Sequence, residues 1–193
     1  MNTHMLLANN ILSRSNGKKV YLINKNRFLW GNVKPDCASK YKLKKHYYEE
    51  SIEMILEKIY FLSSFSINDI YYNYGKKKFS EELGVVCHFL CDFFCMPHNT
   101  RMEFKNAIDM KNHVIYEKKL AKAAKSYKPT DEIHRNLSVN MVETFIKQNL
   151  KKYEKCKGFE NDLDFSYYVC NSVVNSILEQ VSQNEYARSR RAS

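Results

Sequence analysis

Five glycines and three prolines are all that punctuate 193 residues, and that scarcity constrains the fold more than any other feature. Glycine and proline are the residues that end helices and shape tight turns. A sheet protein needs them at short intervals, between segments of alternating polarity. No such alternation occurs here. Apolar residues such as Ile52, Ile55, Leu56 and Ile59 instead recur three and four apart, which is one face of a helix. The chain is therefore expected to be all-α.

The segments follow from the punctuation. A first helix carries His4, Leu7 and Ile11 on one side, capped by Thr3 and stopped by Asn16-Gly17. A second covers about 18–29. Gly31 to Asp36 reads as a loop, because Pro35 biases Lys34 away from helical geometry. A long helix follows at about 39–63, with His46 in its early turns. A short helix at 66–73 leads into the basic turn Gly75 to Lys78. Ser80, Glu81 and Glu82 open the next helix, where acids suit the N-terminal dipole, and Pro97 ends it. Residues 101–107 are ambiguous. Further helices are expected from Asp109 to about 126, from Pro129 to about 152 and, beyond Gly158, over about 161–183. No repeat or linker is visible. Residues 1–187 read as one compact multi-helix domain, and 188–193 as a disordered tail.

Charge and composition narrow the partners. The net charge is +10 and the sequence pI about 9.2, so the surface attracts anions such as phosphate esters, lipid headgroups or nucleic acid. The lysines are spread along the chain, a pattern that solubility alone also explains. The most apolar segment, Leu83 to Met96, is broken by His88 and Asp92 and falls short of the ~18 apolar residues of a membrane span. The first basic residue is Arg14, and Met5 to Ala8 is too short for a signal-peptide core. Six cysteines without an export signal indicate a reducing, cytoplasmic setting. Cys87, Cys91 and Cys95 recur every four residues and read as small core side chains rather than thiolate ligands.

The chemistry lies in the histidines. His88 and Asp92 share a helical face, and so do His113 and Glu117, giving two pairs of nitrogen and carboxylate donors. Both donor types suit zinc. Pro97-His98 stands between the pairs. Asp36 follows Pro35 in a rigid segment, His46 lies ten residues on, and His4 is near the N-terminus. Together these residues read as a multi-zinc site. His134 reads as an exposed histidine near the first turn of a helix, outside the site.

The order of these residues resembles the bacterial zinc-dependent phospholipases C. It runs through His4, Lys34-Pro35-Asp36, Lys45-His46, Gly84 with His88 and Asp92, Pro97-His98, and Asn112-His113 with Glu117. The fungal single-strand-specific nucleases are distant relatives with the same fold and a three-zinc site. The resemblance spans about residues 4–120. It implies one zinc held by His46, His88 and Asp92 with Asp36, and a second held by His98, His113 and Glu117. A third would be held by His4 with Asp92 bridging, giving two to three ions. It also implies Asp36 as the catalytic general base. Secreted relatives complete the third site with the amine of an N-terminal tryptophan. The only tryptophan here is Trp30, so the Met1 amine is expected in that place.

The implied reaction is phosphodiester hydrolysis by a zinc-activated hydroxide. In the phospholipase C form it cleaves the glycerol–phosphate bond of a phospholipid, with a membrane surface as transient partner. Single-strand nuclease or other phosphodiesterase activity is the alternative among enzymes. A non-catalytic zinc-binding helical protein is the alternative outside them. Nucleic acid ranks behind lipid as a partner, and no obligate protein partner is evident.

Overall fold

Helix α5 (Lys76–Phe93) is apolar nearly all round from Leu83 onward, so it can only be stable in the middle of the molecule. Every residue from Leu83 to Phe93 is buried. Around it pack α1 (Thr3–Arg14), α2 (Lys25–Gly31), α4 (Tyr48–Ser63) and the long α9 (Phe159–Ala192). Helix α7 (Ala107–Ser126) lies against α1 and α9, and α8 (Val142–Tyr153) lies against α9. Two short helices, α3 (Lys34–Cys37) and α6 (Met96–Asn99), connect the larger ones. This computed structural model describes residues 3–14, 19–37, 45–101, 107–130, 133–134 and 136–192. Among them there is no strand, and no helix is long and apolar enough to cross a membrane. The result is a single compact helical domain.

The closest helix crossing sits beside the histidines. Helix α2 meets α5 at Gly31 and Gly84, backbone against backbone. A Cβ added at Gly31 would lie 2.1 Å from the Glu81 carbonyl oxygen, and one at Gly84 would lie 2.3 Å from the Phe28 carbonyl oxygen. Only glycine permits this approach. At the far end of α2, Asn24 caps the helix by accepting the Arg27 N–H, and its own N–H donates to Ser80 Oγ on α5. Cys87 and Cys91 of α5 and Cys95 just beyond its end are buried, as their spacing predicts. Cys91 Sγ lies 3.6 Å from Cys170 Sγ of α9, both as free thiols.

Several expected boundaries move, each for a local reason. Gly31 to Asp36 is not all loop, because Lys34–Cys37 makes a helical turn. Pro35 sits in its first turn, where a missing N–H costs nothing. His46 stands ahead of its helix rather than inside it. Tyr47 is extended, and α4 begins at Tyr48 with Glu49 and Glu50 in the first turn. The expected start near residue 39 falls within 38–44, outside the described residues. Helix α5 begins at Lys76 rather than Ser80, because Gly75 at φ 95° makes the turn into it. It ends at Phe93, and Pro97 starts the next turn instead of ending this one. The helix expected from Pro129 begins only at Val142, after a 3₁₀ turn at Val139–Met141. The stretch before it is pinned to α9 by the His134 N–H donating to Ser172 Oγ. His134 is exposed, as expected, but lies outside any helix. The segment from Arg188, expected to be a tail, continues α9 to Ala192. There Arg188 Nη1 pairs with Asp69 at 3.0 Å and donates to Ser66 Oγ.

Candidate metal centre

The centre is built on the C-terminal half of α5. His88 and Asp92, one turn apart, are 0% and 2% exposed. The Gly31–Gly84 crossing brings the Asn32 carbonyl to 3.0 Å from His88 Nδ1. A carbonyl can only accept, so Nδ1 carries the hydrogen and Nε2 is left with a bare lone pair. That lone pair faces Asp92 Oδ2 at 3.2 Å, His46 Nδ1 at 3.2 Å and Asp36 Oδ1 at 3.5 Å. Asp92 Oδ1 meets His4 Nε2 at 3.3 Å and His98 Nε2 at 3.8 Å. Glu117 Oε1 lies 3.1 Å from His113 Nε2 and 3.5 Å from His98 Nε2.

These separations discriminate between explanations. Two ligands held 2.0–2.1 Å from a tetrahedral zinc ion stand about 3.3 Å apart. Most pairs in the centre fall within a few tenths of an ångström of that value. A lone pair on His88 facing a carboxylate repels it unless a cation stands between them. Three groups of ligand atoms, each within 4.8 Å of one another, could hold an ion: His4 with His88 and Asp92; Asp36 with His46 and His88; His98 with His113 and Glu117. The donor set of imidazoles and carboxylates therefore fits zinc.

Comparison with known families decides the assignment. A model of the family described as zinc dependent phospholipase C matches residues 3–160. The chain belongs to the zinc-dependent phospholipase C family. No curated protein and no solved structure matches it at significant similarity. Membership in the zinc-dependent phospholipase C family supports zinc as the metal for these donors.

All eight residues singled out in the sequence meet in this candidate centre: His4, Asp36, His46, His88, Asp92, His98, His113 and Glu117. Met1 lies outside the described residues. The arrangement has Asp92 at its middle, touching imidazoles from four segments. Burial raises its pKa, but interaction with the imidazoles of His88, His98 and His4 outweighs burial and holds it well below the ordinary carboxylate range. Burial likewise opposes ionisation of Glu117, yet His113 and His98 depress it to about 2. Burial lowers His88, consistent with a neutral ligand. Burial also disfavours charge on His4, but contact with Asp92 outweighs it and holds His4 well above 6.5. His46 is raised in the same way, by Asp92 and Asp36 against burial.

A pH dependence follows. With no metal bound, His4 and His46 keep their protons above pH 6.5, the ordinary value. Zinc needs the same nitrogens deprotonated, so it must displace those protons. Apparent zinc affinity should therefore rise with pH from 6.5 upward, until the raised pKa values are passed. Proton release on zinc addition in weakly buffered solution should track it. No proton release between pH 6.5 and 7.5 would contradict this placement of His4 and His46.

Two parts of the centre carry no sequence signature. The Asn32 carbonyl orients His88, and any residue type supplies a carbonyl. Cys91 faces the centre beside His4, where the i,i+4 run of cysteines marked it only as core. The donors open on a cavity of ≈ 300 Å3 between α1, α7 and α9. Its lining combines the donors His4, Asp36, Asp92 and Glu117 with the apolar side chains of Leu7, Val114, Leu120 and Leu163, and Asp162 also reaches it.

Proposed function

We propose that this chain is a phosphodiester hydrolase of the phospholipase C type, cleaving the glycerol–phosphate bond of a phospholipid with two to three zinc ions. The observation that carries it is the Asp92 carboxylate, shared among imidazoles at zinc-ligand spacing and opening on a cavity lined by both these donors and apolar side chains. In this reading His46, His88 and Asp92 with Asp36 hold one ion, and His98, His113 and Glu117 a second. His4 with Asp92 holds the third. When bound, zinc lowers the pKa of a coordinated water and offsets charge on the phosphoryl oxygens.

The remaining work falls to the chain itself. Asp36 stands at the mouth with its side chain 42% exposed, where its carboxylate can orient a water and take its proton. Asn32 keeps the His88 lone pair aimed inward. Leu7, Leu120 and Leu163 in the cavity lining suit the glycerol and acyl portion of a lipid. Among the described residues no aromatic side chain lines the cavity, so it offers no platform for stacking bases. That favours lipid over single-stranded nucleic acid.

The test compares hydrolysis of a short-chain phosphatidylcholine with cleavage of single-stranded DNA, with zinc per chain measured on the same sample. Lipid cleavage with two to three ions is expected. Preferential DNA cleavage overturns the substrate, and one ion without turnover points to a non-catalytic zinc protein. Asp36→Asn should retain its metal, because His46, His88 and Asp92 remain, yet lose about 10²-fold or more in kcat. Unchanged kcat would remove Asp36 from the proton transfer.

A further inference from the structure

A second buried carboxylate lies beside the centre, in the lining of the same cavity and beyond the residues that the family match covers. Asp162, in the first turn of α9, is 1% exposed. Its Oδ2 accepts the Met96 backbone N–H at 3.2 Å and the Tyr116 hydroxyl at 2.7 Å. Its Oδ1 accepts the Tyr153 hydroxyl at 2.5 Å and the Gly158 N–H at 3.4 Å. Met96 opens α6, two residues before His98. Tyr116 precedes Glu117 and follows His113 by three on α7. One carboxylate therefore holds the backbone under His98 and the helix that presents His113 and Glu117.

We propose that Asp162 is a positioning residue that sets the separation between His98 and the His113–Glu117 pair to the span one zinc ion requires. The role presupposes the zinc centre proposed above. Among the described residues, no other group outside the centre hydrogen-bonds to both α6 and α7. The remaining anchor of this turn, Arg101 with Glu49 and Glu50, is partly exposed and joins it to α4 instead; solvent screens such a pair. Four donors converge on the Asp162 oxygens, so the carboxylate is fully used and fixed in direction. It lines the same cavity as Asp92 and Glu117, but none of these four hydrogen-bond partners is a zinc donor. Its effect must pass through Met96 and Tyr116, as partners behind metal ligands commonly act.

The test uses the full chain loaded with zinc, or with cobalt as a spectroscopic substitute. Asp162→Asn keeps the volume but turns one acceptor into a donor facing other donors. Tyr116→Phe removes a single bond and leaves the other three partners of Asp162 in place, so it guards against a failure to fold. Chelator competition should show Asp162→Asn losing one ion about 10-fold or more easily than wild type. Tyr116→Phe should shift in the same direction by less. The cobalt absorption band of that ion should change in both. The ion lost should be the one lost from His113→Ala. The double variant D162N/H113A should then retain as many ions as H113A alone, whereas D162N/H88A should retain fewer than H88A. Wild-type affinity and spectrum in both single variants, or equal weakening of both ligand groups, overturns the role of Asp162. A wild-type chain that takes up neither zinc nor cobalt overturns the zinc centre and this role together.

Discussion

Asp92→Asn should strip the centre of most of its metal and abolish hydrolysis while the helices persist. Among the described residues Asp92 gathers the most donors: its Oδ2 lies 2.7 Å from His46 Nδ1 and 3.2 Å from His88 Nε2, and Oδ1 lies 3.3 Å from His4 Nε2. Asparagine keeps the shape but removes the negative charge. It also turns an N–H₂ toward lone pairs that need a cation or a proton. Because the carboxylate is common to the groups around His88 and His4, its loss should weaken them together. We expect less than half the wild-type zinc per folded chain, and a fall of at least about 10²-fold in kcat/KM, the scale for removing a charge-stabilising group from an active site. Elemental analysis on protein checked by circular dichroism reads the first, and a chromogenic phosphodiester assay the second. Full zinc content in this variant would refute the shared-carboxylate arrangement. The contrast with Asp36→Asn matters: Asp92 touches donors of several groups, whereas Asp36 belongs to the group of His46 and His88 alone.

The largest effect on stability is expected at the glycine crossing of α2 and α5 rather than at a zinc donor. Gly84→Ala places a methyl 2.3 Å from the Phe28 carbonyl oxygen and 2.9 Å from the Gly31 Cα. Both obstacles are backbone, so no side chain can swing aside. Helices α2 and α5 must separate, opening the interface that contains Phe28, Leu83 and Val86. Overpacking in a well-filled interior costs about 1–3 kcal/mol, and the backbone contact puts this case near the upper end. For a chain of this length ~3 kcal/mol corresponds to a fall of roughly 10 °C in Tm. Gly31→Ala should behave alike, since its Cβ would meet the Glu81 carbonyl oxygen at 2.1 Å. The separation should also draw the Asn32 carbonyl away from His88 Nδ1, so zinc affinity should fall with Tm. An unchanged Tm in both variants would show that the crossing is looser than described here.

The sequence by itself determined the all-α class, because glycine and proline are too scarce for sheet turns and the apolar spacing is that of helices. It determined the pairs His88–Asp92 and His113–Glu117 for the same reason: donors one helical turn apart share a face wherever that helix goes. It marked His4, Asp36, His46 and His98 as candidates by residue type, punctuation and the order that the family shares. Helix ends were less legible. The chain around His46, Pro129 and Arg188 answers to partners elsewhere, such as Ser172 and Asp69, that local pattern does not contain. Only the tertiary structure decided which donors share an oxygen. His4 and Asp92 meet because α1 and α5 pack together, and His88 is neutral and aimed because a glycine crossing delivers the Asn32 carbonyl. Asp162 is one of 21 acidic residues, and nothing local distinguishes it. Its importance arises from four donors brought to it by separate segments. Periodicity acts over a single helical turn and is written in the sequence, whereas convergence depends on how whole helices pack and appears only in three dimensions.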